Sequence, residues 1–463
     1  MSKLFQYLSQ KQFCVVVEYL SSHKFDSVAQ EIAGFPTVIA LADRVHSDDD
    51  PSPLQIAQQC PIDIEKLIHF SGKARDIADF EQFLHQAKTQ GINNLLLLTG
   101  DKLKQHQSGT KNIERTRYLE SVNAVMAAKH KGGFCIGVAF NPFKYAEAER
   151  DAQYFKLHKK IKAGADFIIS QLGYDLDALK QAQLFLKEHQ YRQSIMTCIM
   201  PLSLGRAKYM VKHQVAGTVI TQHMLNVLEQ EKQQGKTNHI YLRCALQILI
   251  CQHLGFGGVH LSACYKPEDQ MLLAKYIEKY RHLSLVECES LWNDHWQIKT
   301  GKEFHPVLEN DSISVTSMQI LKYRNLKFMH DALFQSSVAR GIGFFIFKAQ
   351  FWNRSLSMKA LLKTEFISKH HIVGCESCGL CRLADTLYIC PETCPKGLAN
   401  GPCGGTYLDR CEFGDRECIH SVKARLAKAV KQTEILKNKL IPSVPIELRG
   451  TSSWKNWYLM KDA

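Results

Sequence analysis

Short apolar runs alternate with helical patterns over roughly the first 280 residues of the chain. Each run is almost continuously apolar, as a strand of a parallel sheet buried on both faces must be. Eight runs have this character: 13–18, 37–43, 66–70, 94–99, 134–140, 166–171, 194–199 and 258–261. Helical patterns cover 79–90, 115–130, 147–163, 176–189, 238–254 and 267–280. Eight repeats without any GxGxxG predict an α/β fold, a closed (β/α)8 TIM barrel over residues 1–283, instead of an open dinucleotide-binding sheet.

Three further segments follow the predicted barrel. Residues 284–374 are mixed and aromatic-rich, with helical patterns at 320–334 and 355–367, and we predict a connector that packs on the barrel. Residues 375–420 hold eight of the 16 cysteines and form a predicted small metal-binding domain. Residues 421–441 have the pattern of a basic amphipathic helix, and a tail runs on to residue 463.

The composition is that of a globular protein, and it narrows the classes of partner. Hydrophobic residues make up 45% and charged residues 22%, which excludes a mainly disordered chain, a collagen and a coiled-coil rod. The net charge of +13 would suit nucleic acid, a membrane surface or an anionic ligand, and residues 421–463 supply +6 of it. The cysteine segment is itself acidic, so we expect no nucleic-acid binding.

The sequence also lacks the patterns of secretion and of membrane insertion. The first residues alternate polar and apolar positions, and no window holds about 18 uninterrupted apolar residues. We therefore expect a cytoplasmic protein with no membrane span, whose thiols are reduced or bind metal. We also expect a homo-oligomer.

Polar or turn-forming residues follow each predicted strand, at the end where barrel enzymes place their chemistry. They are Glu18, Asp43, His69, Ser71, Thr99, Gly100, Asp101, Asn141, Gln171, Pro201, Ser203 and His260. One carboxylate ends the first strand and another follows the fourth, and both would face one apolar mouth, where their pKa values are pushed apart so that one can act as an acid while the other stays charged. Glu18 and Asp101 are therefore the candidate catalytic pair.

Five of these strand ends, taken in order, resemble motifs of the methylenetetrahydrofolate reductase family. The matching stretches are VVVE at 15–18, LLTGD at 97–101, AGADFIISQ at 163–171, IMPLS at 199–203 and GVHL at 258–261. The resemblance covers residues 10 to about 280. The chain departs from the family pattern at 19–22 and 69–76, two segments that contact flavin or substrate in the family.

The resemblance implies a flavin-dependent reduction of 5,10-methylenetetrahydrofolate to 5-methyltetrahydrofolate, or the reverse oxidation. Glu18 would be the general acid that protonates the departing ring nitrogen, and Asp101 would lie between the pterin and the flavin. The hydride itself would come from the flavin. The implied substrate-binding residues are Gln171, Met200 and Pro201. The implied residues for the flavin, FAD or FMN, are His69, Ser71, Lys73, Arg75, Thr99, Gly100 and Asp101, with Lys73 and Arg75 supplying charge for its phosphate.

The cysteine segment has enough thiols for two four-ligand sites. The eight residues are Cys375, Cys378, Cys381, Cys390, Cys394, Cys403, Cys411 and Cys418. Paired Cys-x₂-Cys units would suit structural zinc. A third cysteine at the same spacing, with Cys-x₃-Cys-Pro after it, resembles the ligand run of bacterial ferredoxins. Two 4Fe-4S clusters, zinc, or one of each therefore remain open at this stage.

The segment around 394–405, rich in glycine and proline, resembles the cysteine-rich C-terminal domain fused to some reductases of this family. A similar domain is a separate iron–sulfur partner subunit in acetogens. The resemblance implies that electrons enter through iron–sulfur clusters from a redox protein donor. If the segment binds structural zinc instead, the barrel would be reduced directly by NAD(P)H.

Overall fold

The predicted TIM barrel is confirmed. The structure, a computed structural model, describes residues 2–20, 22–23, 25, 28–45, 50–102, 118–307 and 313–459. The strands are β1 (Cys14–Tyr19), β2 (Glu31–Ile32), β3 (Phe35–Leu41), β4 (Lys66–Ser71), β5 (Asn94–Leu98), β6 (Cys135–Phe140), β7 (Phe167–Leu172), β8 (Ser194–Ile199) and β9 (Gly258–Leu261). All but β2 are parallel neighbours, and β9 pairs with β1 to close the sheet, with Cys14 opposite Gly258. β2 forms a short antiparallel hairpin with β3.

Side-chain alternation along the strands separates the interior of the barrel from the layer under the helices. The interior set includes Val16, Val38, Leu67, Leu96, Phe167, Ile169 and Met196. Leu4 and Leu8 of the first helix, α1 (Lys3–Ser9), pack against it. The backbone oxygen of Leu8 accepts a hydrogen bond from Ser194 at the start of β8. α1 therefore closes the N-terminal end of the barrel, and the opposite end is its mouth.

Nine helices surround the strands in the part of the chain that the structure describes. They are α2 (Pro53–Ala57), α3 (Ile77–Thr89), α4 (Ser121–Lys131), α5 (Glu147–Ala163), α6 (Leu176–Glu188), α7 (Leu204–Lys212), α8 (Gln222–Gln233), α9 (His239–His253) and α10 (Pro267–Tyr280). Local signals explain several ends. Asp76 forms a capping box at α3, Pro267 opens α10, and Gly164 ends α5 with a left-handed φ of 112°. The helix predicted at 115–130, after the fourth predicted strand, begins with residues 115–117, which lie outside the described residues.

The helices of the connector pack against two parts of the protein, the barrel and the C-terminal helices. Its first helix, α11 (Leu285–Trp296), packs on α9 and buries Trp292 and Trp296 completely. Three more helices follow: α12 (Ser317–His330), α13 (Ser337–Lys348) and α14 (Ser355–Val373), with a π-helical turn at Asp331–Gln335. α12 contacts the helix that follows the cysteine segment, and α13 contacts the last helix of the chain. α11 therefore packs on the barrel, whereas α12 and α13 also contact helices of the C-terminal region.

The single helix predicted over 421–441 is wrong. The chain forms α15 (Ile419–Ala429) and α16 (Thr433–Asn438), and a third helix, α17 (Ser453–Leu459), ends the described tail. Lys431 lies between the first two with a φ of 55°, a left-handed conformation that interrupts a helix. Both α15 and α16 pack on α5 of the barrel. Residues 460–463 of the predicted tail lie outside the described residues.

The positive charge of this C-terminal region is largely paired within the fold. Arg425 contacts Asp409 and Glu417, and Lys428 contacts Glu147 and Asp151 on α5. Further pairs join Lys437 to Glu434, Lys439 to Asp385 and Arg449 to Glu392. Many of the basic residues in this region thus form ion pairs that hold it against α5 and the cysteine segment. No helix among the described residues is both long and apolar enough to cross a membrane.

Candidate active site and cysteine centres

Glu18 lies at the inner end of β1, beside two buried imidazoles. Alternation from Val16 directs Glu18 into the barrel mouth, and the same rule places His69, Cys198 and His260 on the inner face. The rings of His69 and His260 are 5.5 Å apart, and Cys198 Sγ is 3.6 Å from His260 Nδ1. Burial raises the pKa of Cys198, and the negative charge of Glu18 raises it further. Glu18 thus faces these groups across the mouth.

The two imidazoles are neutral near pH 7 and are not fully hydrogen-bonded. Burial lowers the pKa of His69 to about 3, with the His260 charge adding to the shift. Burial also lowers the pKa of His260, although Glu18 opposes that change. The Nε2 atoms of both rings are buried and make no hydrogen bond to a described protein atom. Unpartnered buried nitrogens are rare, so these two atoms mark the mouth as a candidate binding site.

The ends of β4 and β5 bring several predicted flavin residues together. Gly100 has a φ of 87°, and a Cβ built on it would lie 2.3 Å from Ser71 Oγ, so only glycine fits there. Thr99 Oγ1 accepts a hydrogen bond from the backbone N–H of Ser121 and so caps the start of α4. Ser71 Oγ lies 3.4 Å from the backbone nitrogen of Lys73. These residues form a close-packed rim around the β4–β5 edge.

Arg75 is committed to a carboxylate within the fold. Its guanidinium pairs with Asp43, which also accepts a hydrogen bond of 2.7 Å from the backbone N–H of Ser71. The same guanidinium donates to the backbone oxygen of Ser71 and lies 4.8 Å from the centre of the Phe70 ring. Asp43 therefore compensates the charge of Arg75. Through these contacts within the protein, Arg75 holds the loop after β4 in place without any phosphate.

Asp101 lies in the loop after β5, across the mouth from Glu18 and next to the cysteine segment. The atoms packed around it and the Glu412 charge raise the pKa of Asp101, while Lys396 and Lys73 oppose the rise. Its side chain still keeps an exposed surface. The site around Asp101 is therefore built partly by residues far along the chain, and the strand-end pattern gave no indication of them.

The predicted folate residues make contacts within the protein. Gln171 Nε2 donates to the backbone oxygen of Ala216 over 3.1 Å. The backbone oxygens of Met200 and Pro201 accept hydrogen bonds from the Tyr174 hydroxyl and from the Arg206 guanidinium. In this state a segment around Ala216 thus covers Gln171, and a folate ring bound by Gln171 would displace that carbonyl.

The eight cysteines of the C-terminal segment form two groups of four. The first cysteine group lines one cavity and consists of Cys375, Cys378, Cys381 and Cys390. The second cysteine group consists of Cys394, Cys403, Cys411 and Cys418: burial raises the pKa values of the last three, and the charge of Cys394 raises each of them further. The groups follow chain order, so the division falls between Cys390 and Cys394, inside the Cys-x₃-Cys unit.

Hydrogen-bond donors surround both groups. Backbone N–H groups two residues further on point at the sulfurs of Cys375, Cys390, Cys411 and Cys418 and oppose the pKa rise that burial causes. Two buried side-chain atoms without a described partner, Arg382 Nε and Lys423 Nζ, belong to residues whose charges interact with these thiols. Thiolates surrounded by unpartnered donors fit an anionic metal centre whose sulfur atoms accept those bonds.

The second cysteine group is seated on the barrel mouth. Lys396 Nζ donates to the backbone oxygen of Gly100 over 2.7 Å and pairs with Glu412 at 2.5 Å. Glu412 also accepts a hydrogen bond from the backbone N–H of Lys102, and its Oε2 is 3.2 Å from Cys403 Sγ. Asn141, after β6, donates to the backbone oxygen of Gly404. The segment that holds this group therefore contacts the loop that carries Asp101, through Lys396 and Glu412.

A buried ion pair anchors the same segment to the side of the barrel. The Glu120 carboxylate pairs with Lys156 at 3.0 Å and accepts hydrogen bonds from the backbone N–H groups of Ala399 and Asn400. Burial alone would raise the pKa of Glu120, but Lys156 and the Asn400 N–H outweigh it and hold the pKa low. Lys156 also donates to the backbone oxygens of Gly401 and Pro402.

We expect Glu120→Gln to weaken this docking strongly, because it leaves the Lys156 ammonium buried without its counter-charge. The free energy of unfolding should fall by about 3 kcal/mol or more, measured by urea denaturation. Glu147→Gln is the matched control, since Glu147 pairs with Lys428 at the exposed end of α5 and should contribute little. Because the Glu120 pKa is lowered in the fold, its contribution should be present near neutral pH and lost on acidification. Equal stability of the two variants would contradict this assignment.

A third cluster of potential ligands lies on the outside of the barrel. Glu231, His239 and His295 are the only three His, Cys, Asp or Glu side chains of the described residues whose ligand atoms all lie within 4.8 Å of one another. The Glu231 carboxylate, however, is paired with Arg243. Because the guanidinium already compensates the carboxylate, we interpret this cluster as a structural network under α11.

Comparisons with known proteins agree with this architecture. Residues 25–271 match the family Methylenetetrahydrofolate reductase, and residues 357–446 match Methylene-tetrahydrofolate reductase C terminal. Methylenetetrahydrofolate reductase 2 of Schizosaccharomyces pombe is 28% identical over 163 residues, which cover 32% of this chain and 25% of that protein. The probable methylenetetrahydrofolate reductase (NADPH) of Caenorhabditis elegans is 28% identical over 174 residues, 36% of this chain and 25% of the relative. The matches thus span about a quarter of these relatives.

A solved structure with a similar arrangement of elements is an uncharacterized protein from Clostridium thermocellum that binds two copies of 5-methyl-5,6,7,8-tetrahydrofolic acid. It is 14% identical, covers 60% of this chain and 99% of that one, and superposes with a TM-score of 0.41. The family match covers more than half of the chain and includes seven of the eight strands of the closed barrel, together with the Asp101 loop. This chain belongs to the methylenetetrahydrofolate reductase family.

Proposed function

We propose that this protein catalyses the flavin-dependent reduction of 5,10-methylenetetrahydrofolate to 5-methyltetrahydrofolate, with electrons supplied through its C-terminal cysteine centres. The observation that carries the proposal is that Lys396 and Glu412, in the segment that holds the second cysteine group, contact the loop of Asp101 at the barrel mouth. Family membership supports the folate chemistry, and the placement of this group supports the route of the electrons.

Glu18 is the acid of the proposed reaction. Cleavage of the methylene bridge requires a proton on the departing ring nitrogen, and Glu18 projects into the mouth from the end of β1. Burial lowers the pKa of both His69 and His260, so neither ring is an imidazolium that could replace the Glu18 carboxylic acid as proton donor near pH 7. Their unpartnered Nε2 atoms are available to hold the ligand beside Glu18.

The flavin would be held at the β4–β5 edge of the mouth and would supply the hydride when bound. His69, Ser71, Lys73, Thr99 and Gly100 line this edge or support it. Arg75 would act differently from the simple phosphate contact expected from the sequence, because it is already paired with Asp43. We therefore assign Arg75 to shaping the loop that presents Lys73. Asp101, in the loop after β5, would bind the pterin beside this edge.

The spacing of the thiols favours iron–sulfur clusters over zinc. Tetrahedral zinc with bonds of about 2.3 Å needs sulfur atoms about 3.8 Å apart. No three of the eight described thiols in the two groups lie within 4.8 Å of one another. A cubane places its four ligands on a larger core, so wider spacing suits it. We propose one 4Fe-4S cluster in each cysteine group.

A single anaerobic experiment tests both halves of the proposal. We expect the purified full-length protein to contain iron and flavin, with flavin bands at roughly 370 and 450 nm and a broad iron–sulfur shoulder near 400 nm set by these cofactors. Addition of methyltetrahydrofolate should bleach the flavin bands. A protein that holds zinc and no iron, and turns over rapidly with NADH or NADPH, would contradict electron supply through the cysteine groups. A protein without flavin would contradict the barrel chemistry.

A further inference from the structure

Lys423 is buried between the two cysteine groups without a hydrogen-bond partner. It lies on α15, its side chain is 1% exposed, and Nζ makes no hydrogen bond to a described protein atom. The negative groups that raise its pKa most are Cys394 of the second cysteine group and Cys390 of the first, and the adjacent Val422 lines one cavity together with Cys390. Removing an ammonium from water without compensation costs several kcal/mol, so this position requires negative charge close by.

The charged groups packed around Lys423 do not supply that compensation. Glu120 faces it, but Lys156 and two backbone N–H groups already occupy that carboxylate. Arg382 adds a further positive charge from the cysteine segment. Lys159 on α5, also 1% exposed, adds another from the barrel side. Three basic groups therefore lie around this space, and burial lowers the pKa of Lys423 to about 8 and that of Lys159 to about 7 because their charge lacks full compensation.

Metal centres in the two groups would balance this charge. Four thiolates around Zn²⁺ or around a [4Fe-4S]²⁺ core leave a net charge of −2 per site, because four negative ligands surround two positive charges. Each one-electron reduction of a cluster would add one further negative charge. A fixed cation between two such clusters stabilises the reduced form of both.

The position of Lys423 differs from that of the other cations near the thiols. Lys369 faces Cys381 and Cys375, which both belong to the first cysteine group. Lys396 faces Cys403 of the second cysteine group, and Arg416 faces Cys411 and Cys394 of the same group. Lys423 faces one thiol from each group.

We propose that Lys423 is a positioning residue shared by the two metal centres: its ammonium donates hydrogen bonds to metal-bound sulfur on both sides and stabilises both clusters in their reduced state. The redox part of this inference rests on the proposed function, since zinc would not change oxidation state. Compensation of the Lys423 charge by metal-bound thiolates applies to zinc and to iron–sulfur clusters alike.

The test compares Lys423→Met, which removes the charge at similar length, with Lys423→Arg, which keeps it. Lys428→Met on the exposed side of the same helix is the control, because Lys428 pairs with Glu147 and Asp151. Full-length proteins are purified anaerobically, iron and zinc are counted, and cluster potentials are titrated by electron paramagnetic resonance. We expect Lys423→Met to move both midpoint potentials to more negative values. Lys423→Arg and Lys428→Met should leave them close to wild type.

Other outcomes would overturn the proposal. A shift of one potential alone, or loss of iron from one group alone, would assign Lys423 to a single centre. Unchanged potentials at full iron content would remove it from both. If Lys423→Met does not fold, Lys423→Gln provides the measurement, with a negative shift of both potentials expected; no shift would count against the proposal. A wild-type protein with zinc alone would refute the proposed electron route, and slower zinc release from wild type than from Lys423→Met would still support charge compensation.

Discussion

Glu18→Gln is expected to reduce methylenetetrahydrofolate at least about a hundredfold more slowly than wild type, the usual scale for loss of a positioned acid. Glutamine keeps the size and much of the hydrogen bonding of glutamate at the end of β1, but it has no proton to give to the ring nitrogen. The flavin should stay bound and should still accept electrons from the donor. Stopped-flow measurement of the reductive and oxidative half-reactions separates these two steps.

Asp101→Asn is the matched variant on the opposite side of the mouth. It should weaken folate binding and alter flavin reduction together, because Asp101 is assigned to the contact between pterin and flavin. Near-normal folate reduction by Glu18→Gln would remove Glu18 from the mechanism. Unchanged folate affinity and unchanged flavin reduction in Asp101→Asn would remove Asp101 from its assigned place.

The second large effect is expected from Cys378→Ala combined with Cys381→Ala. These thiols belong to the first cysteine group, whose described contacts are with the connector, the tail and the rest of the cysteine segment. Loss of two ligands should abolish turnover with a low-potential one-electron donor, because the first cluster can no longer form. The barrel should stay folded, and its flavin should still oxidise methyltetrahydrofolate with an artificial acceptor.

The control for the cysteine variant is Cys251→Ala combined with Cys288→Ala. Both thiols are buried in the barrel region, on α9 and α11, and lie outside the two groups. This control should keep its iron and its turnover with the one-electron donor. Full donor-dependent turnover in the Cys378 and Cys381 double variant, or equal loss in the control, would contradict electron supply through the first cysteine group.

The barrel could be predicted from sequence because its signals are local. A strand buried on both faces is apolar throughout, and a helix shows its stripe within three or four turns. The predicted helices at 147–163 and 267–280 accordingly match Glu147–Ala163 and Pro267–Tyr280. The helix predicted at 421–441 failed for a related reason. Its apolar positions suit one helix or two, and no residue type announces the left-handed turn at Lys431.

By itself, the sequence determined the strands, the order of their polar ends and the presence of eight clustered thiols, because these follow from residue type and short spacing. The tertiary structure alone decided which thiols share a site, that Arg75 is held by Asp43, and that Lys423 lies between the two cysteine groups. It also brought Lys396 onto Gly100 across 296 positions of the chain. Local periodicity carries no information about contacts at such separations. They depend on how the cysteine segment docks on the closed barrel, through buried charges such as Glu120 and Lys156 whose partners become known only when the chain is folded.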